Sequence, residues 1–156
     1  MIEFRGRHRE IMQPDRWTEL FFMDEATAFS AGHRPCFQCR YEDHQRFKKS
    51  WLKGNPEYGF SLSIPVSAID DIIHAERIAP DKSKVTHEAT IRSLPDGTFV
   101  MYDEKPYLIS DKRMYLWSPA GYSVGIPFPK VKDITVLTPK SIVKMFSAGY
   151  IPQTGV

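Results

Sequence analysis

The chain is predicted to be an α+β protein, with a helical N-terminal lobe followed by an antiparallel β-meander closed by a helix. Three observations predict this. Apolar and aromatic residues fall on one helical stripe at Phe37, Tyr41, His44, Phe47 and Trp51. A cluster of turn formers, Gly54-Asn55-Pro56-Glu57-Tyr58-Gly59, then interrupts the chain. From Lys84 to Leu137 the hydrophobic period changes to two, punctuated by turn residues. The expected division is a lobe over residues 1–53 and an α+β lobe over 60–156, which could also pack as one compact domain.

Each element has a local reason. Glu3-Phe4-Arg5 alternates like a short strand, and Pro14-Asp15 makes a turn. Trp17 to Phe22 reads as extended. Asp24 is a good N-cap for a two-turn helix through Ala31, and Gly32 can stop it in the left-handed conformation. Pro35 suits the first turn of a second helix, expected from Cys36 to Leu52 and ended by Gly54. Phe60 to Ile64 alternates as a strand would. Ser67 with Asp70 reads as a capping box for a helix that turns Ile69, Ile72 and Ile73 inward. Phe99–Tyr102, Pro106–Ile109 and Met114–Trp117 follow as strands, with turns at 94–98, 103–105 and 110–113. Ile134–Leu137 is a last strand. Thr138-Pro139 reads as an N-cap and N1 pair for a final helix whose buried face is Ile142, Val143 and Phe146. The last four residues are expected to fray.

Composition limits the function classes. A chain of 156 residues can bury a substantial core. The formal charge is +2, and residues 1–53 carry it, with 10 Lys/Arg against 8 Asp/Glu; the remainder balances at 11 against 11. Charge alone therefore does not drive this chain towards nucleic acid. No apolar run approaches the ~18 residues of a membrane span, and no apolar segment of a signal peptide follows Met1. Two cysteines three residues apart are not a secreted disulfide framework, so the cytoplasm is the expected compartment.

Those cysteines carry the most specific chemistry. In Ala31-Gly32-His33-Arg34-Pro35-Cys36-Phe37-Gln38-Cys39-Arg40 both thiols are expected on one face of a helix start. There the helix dipole, Arg34 and Arg40 favour thiolate, the form that binds metal or attacks a disulfide. The pair reads as half of a zinc site, as a redox pair, or as two ordinary thiols. A closed zinc site takes four ligands, so histidine would have to help. His8, in the run Phe4-Arg5-Gly6-Arg7-His8-Arg9, is the foremost candidate beside Cys36 and Cys39; its other reading is a solvated basic loop. His33 shapes the turn before Pro35. His44 lies on the apolar stripe and reads as a hydrogen-bonded core histidine. His8, His74 or His87 could act as base in a site between lobes, but the commoner reading of His74 is a surface group at a helix end.

The run from Glu19 through Phe21-Phe22, the Ala/Glu-rich Asp24–Ala31 segment and Ala31-Gly32-His33-Arg34-Pro35-Cys36-Phe37-Gln38-Cys39 resembles the second half of the Ada-type zinc-binding domain. That family places four cysteines on one zinc and occurs in DNA alkylation-repair proteins. The resemblance implies an Ada-like N-terminal lobe with Cys36 and Cys39 as zinc ligands. Where the family has its first cysteine pair, which includes the methyl-accepting thiol, this chain has Arg5 to Arg9 with His8. Methyl transfer is therefore not implied. The chain also resembles a family of bacterial proteins through Gly32–Cys36 and Trp117-Ser118-Pro119-Ala120-Gly121-Tyr122, which brings no activity with it.

Two function classes follow. The first is a non-catalytic binding protein for DNA or RNA, with a structural zinc and with Arg34, Arg40, Lys48 and Lys49 as the phosphate-facing residues. Those lysines also complement the end of a helix, and a solvated face is their leading reading. The second is a thiol-based redox enzyme or sensor using Cys36 and Cys39. No nucleophile elbow, phosphate-binding glycine loop or H-E-x-x-H run is present.

Overall fold

The computed structural model describes residues 3, 4, 6–8, 13–15 and 20–156, with backbone alone for 3, 4, 7 and 8. A two-stranded hairpin, β1 (Glu3–Phe4) with β2 (Arg7–His8), opens the chain. Three helices follow: α1 (Glu25–Ser30), α2 (Tyr41–Gly54) and α3 (Val66–Arg77). Then come β3 (His87–Thr90), β4 (Phe99–Tyr102), β5 (Lys105–Ser110), β6 (Arg113–Ser118), β7 (Gly121–Tyr122), β8 (Ile126–Pro127) and β9 (Asp133–Val136). Helix α4 (Lys140–Ser147) closes the fold. The class is α+β, as predicted.

The strands from β3 to β9 form one antiparallel sheet in the order β3-β9-β4-β5-β6-β7, with β8 on the far half of β6. The meander β4-β5-β6 falls where the alternation placed it. Its turns are two-residue loops at Asp103-Glu104 (φ 50 and 57) and Asp111-Lys112 (φ 46 and 55). Left-handed backbone at both positions matches the strand twist of a tight hairpin, and the aspartates tolerate it better than most side chains. What alternation could not give is the place of β9. It inserts between β3 and β4, pairing Val136 with both His87 and Val100.

The sheet is covered on both faces. Phe99 and Leu108, directly paired across β4 and β5, point towards Ala26 of α1. Val100, Tyr107 and Ile109 point the other way, to a core that includes Val143 of α4. Helix α4 turns its opposite side, Ile142, Met145 and Phe146, into a helical core with Phe29, Phe47, Trp51, Ile69 and Ile73. The helices on either side of the Gly54–Gly59 turn thus share one core with the last helix of the chain.

Several helix starts differ from expectation. Helix α3 begins at Val66 with Pro65 at the N-cap, and no side chain caps it there. Ser67 and Asp70 form no capping box, because Asp70 is held by Arg34 instead. Helix α4 begins at Lys140, and Thr138 accepts the Phe99 N–H at 2.9 Å rather than capping the helix. Its first-turn amide at Ser141 is satisfied from α3, by Glu76 Oε2 at 2.8 Å. The C-terminal tail is tied down: the Gln153 carbonyl accepts the Glu25 and Ala26 amides at 3.1 and 3.2 Å, and Gly155 N–H donates to Asp24 Oδ2 at 2.9 Å. These partners lie more than 120 residues away, so local composition could not announce them.

Candidate functional site

The cysteine segment is a turn between two helices, and its geometry begins at the end of α1. Asp24 caps that helix as expected, accepting the Thr27 N–H at 2.7 Å. At its C-terminus Gly32 has φ +75, and the His33 and Gly32 amides donate to Ala28 and Phe29 carbonyls at 2.8 and 2.9 Å. This paired return is a Schellman motif, which needs the left-handed residue that glycine supplies.

The chain then turns past Arg34, which donates Nε and Nη2 to Asp70 at 2.6 and 2.7 Å. This two-pronged pair fastens the turn to α3. Pro35 is buried, and its carbonyl lies 3.3 Å from Arg34 Nη1 and 3.2 Å from His44 Nδ1. A helix running from Pro35 would direct that carbonyl to the Cys39 amide. It is taken by side chains instead, so α2 starts at Tyr41 and not at Cys36. Cys36 and Cys39 occupy the turn just before it, closed by Arg40 N–H donating to the Cys36 carbonyl at 3.0 Å.

Both cysteines are free thiols, Cys36 exposed and Cys39 half-buried, 3.5 Å apart. Their protonation is asymmetric. Burial alone would raise the Cys36 thiol, but the Cys39 and Gln38 amides, the Cys39 thiol and the Arg34 charge outweigh it and hold Cys36 below its ordinary value. Cys39 is pushed above its own by burial, by its hydrogen bond with Cys36 and by the Cys36 charge. The pair is thus unequal, with the more exposed thiol the more acidic one. They open on a groove of about 200 Å³, lined among others by Leu20, Phe22, His33 and Arg40. At its edge Phe37 packs edge-on against Tyr41 and His44, at 5.3 and 5.2 Å between ring centres.

No family model, no curated protein and no solved structure matches this chain. Among the described residues no helix is long and apolar enough to cross a membrane.

The remaining expected site residues are distributed as follows. The His8 side chain lies outside the described residues, and the backbone there is strand β2. Among the described residues no three His, Cys, Asp or Glu side chains gather closely enough to hold a metal ion. Cys36 and Cys39 on their own supply two of the four ligands of a closed zinc site. Arg34 is spent on Asp70. Arg40 donates to Asp43 at 2.8 Å and to the buried Glu25 at 3.4 Å. Lys48 donates to the Leu62 and Ile64 carbonyls at 2.8 and 2.6 Å, fastening the segment before α3. Lys49 is exposed on α2. Three of these four cations thus hold the helical core together. Glu25 and Asp70, the acidic partners of Arg40 and Arg34, carried no sequence signal for these pairings: Asp70 read as a helix cap and Glu25 as an ordinary carboxylate.

His44 is the core histidine the stripe suggested, 2% exposed. Its pKa is depressed, first by burial and then by the Arg34 and Lys48 charges, against the Pro35 carbonyl and Asp70. Burial likewise depresses His33 and His87. In each case the unfolded chain takes up a proton near pH 6.5 that the native state does not. Stability is therefore present above that pH and lost as pH falls through it towards the lower native values. The urea midpoint is expected to drop between pH 7.5 and 5.5, and His44→Gln to flatten the profile in part. A level wild-type profile would contradict these placements.

Proposed function

We propose that this protein is a dithiol–disulfide redox protein, an exchange enzyme or sensor, with Cys36 as attacking thiol and Cys39 as resolving thiol. The observation that carries this reading is the unequal pair. The exposed sulfur has its pKa lowered, and the sulfur beside it has its pKa raised. In the reaction the Cys36 thiolate attacks one sulfur of a substrate disulfide. The substrate S–S bond breaks, and the departing thiolate takes a proton. Cys39, deprotonated as the Cys36 charge is lost, attacks Cys36 Sγ and releases the second substrate thiol. Two electrons pass to the substrate, one of the two protons its thiols take up comes from Cys39 and the other from solvent, and a Cys36–Cys39 disulfide remains. Closing the pair from 3.5 Å to the ~2.05 Å of a disulfide needs only a small movement within the turn.

A metal-holding reading has one observation in its favour: two sulfurs this close can occupy two corners of one tetrahedron. His8 would be the first candidate to complete it. One experiment separates the readings. Each cysteine is alkylated with iodoacetamide across pH and followed by peptide mass, with metal content measured on the same untagged sample. The redox reading expects Cys36 to react with a midpoint below the ~8.5 of an ordinary thiol and Cys39 above it. It also expects glutathione redox buffers to convert the pair to a disulfide. One zinc per chain with both thiols shielded would overturn it in favour of the metal site. Two thiols titrating alike, with no disulfide formed, would overturn it outright.

A further inference from the structure

Beside the thiol groove lies a second and larger cleft, of about 410 Å³, between the turn after α1 and helix α3. Its lining includes His33, Arg34, Asp70, Asp71, His74 and Arg77. His33 and Arg34 line both hollows, so the two lie side by side. The volume is that of a small-molecule site. The lining is almost wholly charged or titratable, unlike the apolar pockets that hold hydrophobic ligands.

Subtracting the groups that already satisfy each other shows what the cleft offers. Arg34 and Asp70 neutralise one another through both prongs at 2.6 and 2.7 Å. His33 lies against Phe22, 5.1 Å between ring centres, and burial keeps it neutral. One guanidinium, one carboxylate and the exposed His74 imidazole remain. Arg77 donates Nη1 to the Ala31 carbonyl at 2.9 Å, and its stem lies along Gly32, where an added Cβ would come within 2.3 Å of Arg77 Cδ. Gly32 therefore lets Arg77 lie across the end of α1 while its other donors remain for a ligand. Asp71 is exposed one turn before His74, and about 9 Å along the helix axis separates Asp71 from Arg77. A cation site and an anion site so spaced complement a molecule with an ammonium at one end and a carboxylate at the other.

We propose that this cleft binds the charged body of the disulfide of an amino-acid thiol or short thiol peptide, with an ammonium on Asp71 and a carboxylate on Arg77, and so presents the disulfide to Cys36. The proposal rests on the redox reading of Cys36 and names its substrate class: zwitterionic low-molecular-weight disulfides. The Cys36 thiolate forms a mixed disulfide with one sulfur, and the other leaves as a thiolate that takes a proton.

The test compares glutathione disulfide with the uncharged bis(2-hydroxyethyl) disulfide, following mixed-disulfide formation by mass. Each charge-assisted contact that the neutral reagent lacks is expected to favour the charged one by roughly tenfold or more. Asp71→Asn, a surface change that leaves the core untouched, should collapse that ratio, and so should Arg77→Gln. Equal rates for the two reagents in wild type, or a ratio unmoved by Asp71→Asn, would overturn the cleft and leave the redox reading standing. If neither reagent reacts, the redox reading fails and titration of S-methylglutathione decides the cleft. Saturable binding weakened by Asp71→Asn upholds the site, and absence of binding removes it.

Discussion

Cys36→Ser is expected to reduce mixed-disulfide formation to background, whereas Cys39→Ser should accumulate one stable adduct per chain. The difference follows from position and protonation. Cys36 is exposed, and amides, the neighbouring thiol and Arg34 hold its pKa below the ordinary value. Serine has no comparable nucleophile at neutral pH. Cys39 lies beside it with a raised pKa and is needed only for the second step, so its loss stops resolution and not attack. Arg34→Ala should also raise the Cys36 pKa, and each unit of rise leaves about tenfold less thiolate at neutral pH. Intact mass after mixing with a model disulfide reads all three variants. Equal adduct formation in Cys36→Ser and wild type would refute the assignment of the nucleophile.

The largest effect on stability is expected where α2 crosses α4. Trp51 is fully buried in the helical core and stacks on Tyr58 and Phe60, with ring centres 5.4 and 6.2 Å apart. Trp51→Ala removes that volume from a core already closed on every side, so it should cost about 3–5 kcal/mol. Against a total of roughly 5–15 kcal/mol for a domain, that is enough to leave much of the protein unfolded at body temperature. Three residues on, Gly54 allows the helix backbones to touch. A Cβ there would lie 2.7 Å from the Lys144 carbonyl oxygen and 2.8 Å from Met145 Cα. Backbone cannot swing aside as a side chain can, so Gly54→Ala should cost about 1–3 kcal/mol despite alanine's better helix propensity. Denaturant melts of the two variants and of Trp51→Phe measure both terms. A Gly54→Ala protein as stable as wild type would mean that the helices cross elsewhere.

Much of the architecture was written in short-range pattern. The alternation from Phe99 to Trp117, with acceptable turn residues between strands, was enough for the β4-β5-β6 meander because each hairpin closes locally. Asp24 and Gly32 marked the two ends of α1 for the same reason. Expectation failed where a partner distant in sequence took a group that local rules had assigned. The helix expected from Cys36 starts at Tyr41 because His44 and Arg34 hold the Pro35 carbonyl. Asp70 pairs with Arg34, and the tail meant to fray is bonded to Glu25 and Asp24.

The candidate site divides in the same way. By itself the sequence determined the α+β class, the positions of most strands, and that any soft-metal or thiol chemistry must use Cys36 and Cys39. Tertiary structure alone decided the rest. It made the two sulfurs unequal, because exposure, amide donors and the Arg34 charge depend on where the turn is held. It also tied Arg34, Arg40 and Lys48 to internal acceptors and set a polar cleft on α3 beside the thiol groove. Local periodicity reports what a residue can do with its near neighbours. Long-range pairing of charges and carbonyls decides which of those capacities are left over for a ligand.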